Sequence, residues 1–367
     1  MRFAFVMPYY MPDGIGGGAE RQAHLLAHAL AERGHEVFYL AGNPKGKPQF
    51  EEDAGVSVMR VLRHPAKLHF LDYPRILSHL RRLSPDVVLS RIRMYYFPVS
   101  LYGLLPRRTS VIFIPEDRLS TPFPETRMIW RGVGLTPKMP LYIAHALATD
   151  VFAQTGLMLA DRLVVQNEIQ RRNVRKFFLR RAVKLPSLFR PPRVVASKSP
   201  KPLILWVGNV RATKRPEVFV DVAARLPEYD FVMVGRKTER FSGALPNLRA
   251  LGELPHDDVL RWMARAWVLI NTSTARGEGF PNVFLEAWYL RTAVVSFGAD
   301  PDGLVSSGLG LKVEDADEGA AAVRRIVEDA EFRSRLTERA HTHVLENHLP
   351  EVVVPKFLRI VSGINGG

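Results

Sequence analysis

VLINTSTARGEGFPNVFLEAWYLRTAVVSF, residues 268–297, is the stretch whose reading decides the fold. VLINTST is a short β-branched run, ARGEGFPN is rich in breakers, VFLEAWYL has helical spacing, and AVVSF is again a strand. Pro281, near the first helical position, removes an amide that would have no partner there anyway. The amides around Asn282 and Val283 then point out of the helix start, where they attract an anion such as a phosphate. Glu278 in the loop and Glu286 in the helix stand eight positions apart. A carboxylate repels phosphate, but it accepts hydrogen bonds from several hydroxyls at once. An anion flanked by hydroxyls describes a nucleotide-sugar: ribose, diphosphate, sugar. Spacing alone does not single out a site, because both the Glu pair and the strand–helix–strand unit are commonplace.

The residues between the carboxylates carry more. GEGFPNVFLEAW, with Gly-Phe-Pro-Asn between the two Glu, resembles the E-x7-E signature of family 4 retaining glycosyltransferases. These have two Rossmann-like domains facing each other across a cleft, the GT-B architecture. The resemblance implies that Glu278 contacts the transferred sugar and Glu286 holds the ribose hydroxyls. It also implies that amides near Phe280 to Val283, Asn282 among them, receive the diphosphate, with Gly279 and Pro281 in the same donor-binding loop.

Length and composition fit two domains. A chain of 367 residues, 47% of them hydrophobic, can bury two ordinary cores. With no cysteine, disulfide frameworks, thiolate chemistry and Cys-based zinc sites are excluded, and a cytoplasmic location is the expectation. No apolar run is long enough to span a bilayer. The opening MRFAFVMPYYMPDG reads as a first strand rather than a signal peptide. The charge is one-sided: residues 1–190 hold 28 Lys and Arg against 15 Asp and Glu, while residues 191–367 hold 23 against 22. Such asymmetry suggests an anionic partner for the first half. Residues 171–193, RRNVRKFFLRRAVKLPSLFRPPR, hold nine basic side chains and no acidic one.

In chain order, RFAFVMPYY, DGIGGGAER and QAHLLAHALAERGHEVFYLAG form a strand, a glycine-rich turn, an amphipathic helix and a second strand. The glycines lack the G-x-G-x-x-G spacing of a dinucleotide site. Gly17, Gly18 and Glu20 resemble the family's GG-x-E loop, whose small residues approach the donor; a plain tight turn is the other reading. His24 and His28 share a helix face, more simply as packing residues than as a metal pair. Where many family members place a histidine after the strand SVIFI, this chain has Pro115-Glu116-Asp117, and no role is assigned to those acids. Residues 141–160 read as a largely buried helix with Asp150 as its only charge; a membrane-lying helix is the alternative, lacking a basic polar face. The proline-rich PSLFRPPRVVASKSPKP marks a linker.

The second domain opens on LILWVGNVRATKRPEVFVDVAARL. Relatives place a phosphate-gripping Arg directly after the glycine and a Lys five positions later. Lys214 matches the lysine; after Gly208 stands Asn209, with Arg211 two residues on. Arg236 and Leu254 lie where relatives pack the base. Asp300-Pro-Asp302 and Asp315-Ala-Asp317 read as turns rather than metal ligands.

The expected organisation is therefore an acceptor-binding domain over residues 1–188, joined by the terminal helix 350–367, a linker over 189–202, and a donor-binding domain over 203–349. The expected activity is retaining, metal-independent transfer of a hexosyl group from a UDP- or GDP-sugar to a glycan or lipid-linked acceptor. No cofactor is expected. Catalysis would rest on Glu278, Lys214 and Arg211. The basic half suggests an anionic membrane surface, hence a peripheral position on the inner face. Two rivals share some features: another GT-B enzyme, such as an epimerase or phosphorylase, and a nucleic-acid binder using residues 171–193. The latter is disfavoured because that block lacks regular aromatic interleaving.

Overall fold

The computed structural model describes residues 1–13, 17–63, 68–132, 139–194, 196–274 and 279–363. The chain forms two units: Met1–Leu188 with Pro350–Gly367, and Phe189–Leu349. Both are doubly wound α/β domains.

In the first unit the strands are β1 (Arg2–Val6), β2 (Glu36–Gly42), β3 (Phe50–Asp53), β4 (Val56–Leu62), β5 (Val87–Ser90), β6 (Thr109–Ile114), β7 (Arg162–Val165) and β8 (Val183–Lys184). Their order across the sheet is β3-β4-β2-β1-β5-β6-β7-β8. All neighbours are parallel except β3, which folds back on β4 as a hairpin. Without that hairpin the order reverses between β1 and β5, as in a Rossmann sheet. Nearly continuous apolar strands such as Phe3–Val6 and Val111–Ile114 are buried on both faces, as helix-covered parallel sheets require.

The terminal helix Pro350–Val361 packs on this unit, burying Val353, Val354, Phe357 and Ile360. Phe357 lies 6.1 Å from the Phe3 ring and 5.9 Å from Phe113. Truncating such a buried aromatic costs about 3–5 kcal/mol.

The helix Met139–Leu159 differs from the sequence expectation of a largely buried element. Its inner face buries Ala146, Asp150, Ala153 and Leu157. Its outer face leaves Leu141, Leu147, Val151 and Met158 exposed, and Trp130 on the preceding helix is 70% exposed. Uniform hydrophobicity concealed the two faces, since small alanines point inward while larger apolar residues point out. Asp150 is 0% exposed. It accepts from Arg93 at 2.6 Å and from the Thr126 amide and hydroxyl at 2.8 Å, so its charge is fully used in joining three elements.

In the second unit the strands are β9 (Leu203–Val207), β10 (Asp230–Val234), β11 (Leu248–Ala250), β12 (Val268–Asn271), β13 (Ala293–Ser296) and β14 (Leu311–Lys312). The order β11-β10-β9-β12-β13-β14 is parallel throughout and reverses between β9 and β12. The extended segment 189–202 belongs to this unit: the Phe189 amide donates to His348 at 2.7 Å and the Ser199 amide to Arg265 at 2.9 Å.

Candidate active site

In an open parallel sheet, ligands sit beyond the carboxyl ends of the strands where the order reverses. In the second unit that point lies between β9 and β12. Two segments meet there, Gly208–Arg215 after β9 and Thr272–Thr274 after β12. Thr272 stitches them together. Its hydroxyl accepts from the Trp206 indole at 2.9 Å and donates to the Lys214 carbonyl, and its own carbonyl accepts from Arg215 at 2.9 Å. The Thr274 amide adds a bond to the Thr213 carbonyl at 2.9 Å. Arg215 holds a left-handed backbone, φ 44°, which places its guanidinium on this seam. Neither Thr272 nor Arg215 was singled out in the sequence; ordinary loop residues give no periodic signal.

Lys214 is half-buried, beside the exposed Arg211 at the start of the same short turn. Burial, and then the charge of Arg211, push the Lys214 ammonium down from 10.5 to about 8. A cation already stripped of part of its water gains more from an arriving anion than a solvated one does. Asn209, standing where relatives have an arginine, accepts from the Arg236 amide at 3.2 Å. It therefore holds the neighbouring loop rather than supplying charge. That loop approaches closely: Gly235 has φ 132°, and a Cβ there would lie 2.1 Å from the Gly208 carbonyl oxygen. Arg236 itself pairs with Glu253 at 3.5 Å.

The helix that follows runs Asn282–Tyr289, with Pro281 as its N-cap, a residue whose ring offers no side-chain cap. The proline thus stands directly before the first helical position, leaving Asn282 and Val283 as the first two helical residues. Both are half-exposed, whereas Gly279, Phe280 and Pro281 are buried. Phe280 packs edge-on against Trp288 at 6.2 Å and near His348 at 5.3 Å, which fixes the entry of the chain into the helix. Glu286 is 4% exposed, one turn further in, with a carboxylate oxygen 3.7 Å from His256 Nε2. His256 opens the helix His256–Arg265 and was not anticipated; it carries no motif. Glu278 lies outside the described residues.

Other expected features fall elsewhere. Gly17 is the N-cap of the helix Gly18–Ala31, and its amide donates to Glu20 at 2.8 Å. A Cβ on Gly17 would meet nothing closer than 3.6 Å. His28 faces the Tyr10 hydroxyl at 3.0 Å and lies tilted against the His24 ring at 4.2 Å. Asp117 accepts from Asn167 at 2.8 Å and Gln170 at 2.9 Å, and Glu116 pairs with Arg118 at 2.6 Å. Asp300 accepts from the Val305 amide at 2.8 Å, Asp315 caps the helix Ala316–Glu328, and Asp317 pairs with Arg225 at 2.6 Å. Among the described residues, no group of three or more His, Asp or Glu is placed to hold a metal ion. Within the basic block, Arg171 and Lys184 pair with Glu168, and Arg180 donates to the last carbonyls of the helix Met139–Leu159.

Comparison with known proteins meets this geometry from both ends of the chain. Residues 201–329 match the family "Glycosyl transferases group 1", and residues 17–186 match "Glycosyl transferase 4-like domain". The lipopolysaccharide core biosynthesis glycosyltransferase LpsE of Rhizobium meliloti is 25% identical over 372 residues, covering 95% of this chain and 97% of LpsE. An uncharacterised glycosyltransferase of Haemophilus influenzae is 23% identical over 309 residues, 80% of each chain. Sucrose-phosphate synthase from Thermosynechococcus elongatus superimposes with a TM-score of 0.78 at 16% identity, covering 99% of this chain and 98% of that one. Anabaena HepE, in complex with UDP-glucose, gives 0.69 at 15% identity over 99% of both chains. With two doubly wound domains and a family match in each, the chain belongs to the family 4-like glycosyltransferases of the GT-B fold.

Proposed function

We propose that the chain transfers a sugar from a nucleoside-diphosphate donor to a glycan or lipid-linked acceptor in polysaccharide biosynthesis, retaining anomeric configuration and needing no metal. One observation carries this reading. A helix start with proline at its N-cap and a partly desolvated lysine stand beyond neighbouring strands at a single switch point. In this reading the amides of Asn282 and Val283 and the Lys214 ammonium take the diphosphate, with Arg211 reaching its outer oxygens. Glu286 takes the ribose hydroxyls and Glu278 orients the sugar. The chemistry is then positioning and charge stabilisation: Lys214 and the helix start hold the developing negative charge of the leaving phosphate. That phosphate removes the acceptor proton on the same face. Lys214, Arg211 and the helix start would together meet the diphosphate charge, and Asp300, Asp315 and Asp317 are committed to backbone amides and Arg225. Both points support a metal-independent reaction. The UDP-glucose complex of HepE supports a UDP-sugar, and the name of LpsE supports a cell-envelope glycan as acceptor.

We place the reaction at the inner face of an anionic membrane. No helix among the described residues is long and apolar enough to cross a bilayer. The outer face of the helix Met139–Leu159, with Trp130, instead supplies apolar contact, and the surplus of cations in residues 1–190 supplies attraction. A thermal-shift panel of UDP, GDP, ADP and dTDP tests the donor assignment, because a bound ligand raises apparent stability by mass action. Stabilisation by none of the four, together with no release of nucleotide from UDP- or GDP-sugars, would refute it.

A further inference from the structure

The first unit has a second feature at the carboxyl ends of its strands, away from any residue assigned above. β2 and β4 run in register until Ala41 pairs with Arg60; Gly42 then pairs with Leu62. The extra residue, Val61, makes a bulge at the sheet rim, where bulges re-aim side chains. Beyond it opens a cavity of about 600 Å³ whose lining includes Lys45, Lys47, Arg60, Arg63 and Arg75. Arg60 forms its floor, held by Asp13 at 2.7 and 2.9 Å and by Glu51 at 2.7 Å. Lys47 lies 3.8 Å from the same Asp13. Asp72 is turned to the Arg63 backbone amide at 3.0 Å. Arg75 donates to the Val61 carbonyl at 3.3 Å. Among the described residues, no carboxylate lies within ion-pair distance of the Lys45 ammonium or the Arg63 and Arg75 guanidinium groups. Five cations thus face Asp13, Glu51 and Asp72, a surplus of two.

Bringing like charges together around one concavity costs free energy, which an entering anion offsets. Arginine forks match phosphate oxygens in pairs, and lysine adds a point charge. Asn43 in the same lining offers an amide for a neighbouring hydroxyl. We infer that this cavity binds a phosphate or diphosphate group of the acceptor. Calling the anion an acceptor rests on the transferase reading; the anion site itself does not. The phosphate could come from a lipid diphosphate or from a phosphorylated soluble saccharide.

The test is calorimetric titration of inorganic pyrophosphate into the full chain at low salt. Wild type should show two sites. Lys214→Met should weaken one, the donor site, roughly 10- to 100-fold. The combined Lys45→Ser, Arg63→Ser and Arg75→Ser variant should remove the other, with Lys45→Ser alone weakening it about tenfold, the usual worth of one charge-assisted contact. Lys45 is exposed, so the single variant decides the matter if the triple variant fails to fold. Pyrophosphate binding unchanged by these substitutions overturns the inference. Loss of a site in the triple variant with no effect of Lys214→Met keeps the cavity and refutes the donor assignment instead. Geranyl diphosphate in micelles and mannose 6-phosphate then identify the source, by which one competes in wild type and not in the triple variant; competition by neither refutes an acceptor role.

Discussion

Lys214→Met should move stability and ligand affinity in opposite directions. The Lys214 ammonium is pushed from 10.5 down to about 8, chiefly by burial, which corresponds to roughly 3 kcal/mol disfavouring the cation in the folded chain. The sign follows from proton counting. Between pH 8 and 10.5 the unfolded chain holds this proton and the folded chain does not, so the group's contribution to stability rises with pH across that window. Below pH 8 both states are protonated and the folded state carries the full deficit. Replacing the lysine with a methionine of similar length removes that deficit. The unliganded variant should therefore gain up to about 3 kcal/mol at pH 7 and almost nothing at pH 10.5. Binding should go the other way. A charge-assisted contact to phosphate is worth about 1.5–3 kcal/mol, or roughly 10- to 100-fold in Kd. Thermal denaturation with and without UDP, and calorimetric titration of UDP, measure both quantities. A variant that binds UDP as tightly as wild type, or that is destabilised at pH 7, refutes the reasoning.

Other substitutions test separate parts of the account. Glu286→Ala should abolish the UDP-induced thermal shift, whereas Glu278→Ala should cut sugar turnover steeply and leave nucleotide binding largely intact; equal loss of both in either variant contradicts the division of labour. Wild-type affinity for UDP should fall as pH rises from 8 towards 10, as the Lys214 amine loses its proton; a flat titration curve across that range counts against its role. Asp150→Ala should destabilise the first unit by about 3–5 kcal/mol, because it leaves Arg93 only the 3.4 Å contact with Glu125 and takes the acceptor from the Thr126 amide and hydroxyl, as chemical denaturation would show. Leu141→Glu with Val151→Glu should reduce co-pelleting with anionic vesicles while leaving the thermal melt within about 0.5 kcal/mol, as expected of exposed positions; undiminished pelleting would remove that helix face from the membrane contact.

Much of the architecture was legible because parallel strands buried on both faces read as apolar runs, and the glycine and proline breaks between them are local. The helix start at Pro281–Val283 and the buried Glu286 announced themselves through type and spacing. Long-range pairings did not. Thr272, Arg215 and His256 act through contacts with residues that only the sheet order brings near. Asn209 reads as a missing cation in the sequence, and only the approach of Gly235 to Gly208 reveals why a short amide suits that position. The helix Met139–Leu159 misled because composition reports apolarity but not which side faces solvent. The basic residues of 171–193 likewise look like one patch, although Arg180 serves as a helix cap.

A crystal structure of the chain soaked with UDP tests the central claim most directly. The account predicts the β-phosphate on the amides of Asn282 and Val283 with Lys214 beside it, and the ribose hydroxyls on the Glu286 carboxylate. An ordered nucleotide bound elsewhere, with that helix start left to water, would contradict it.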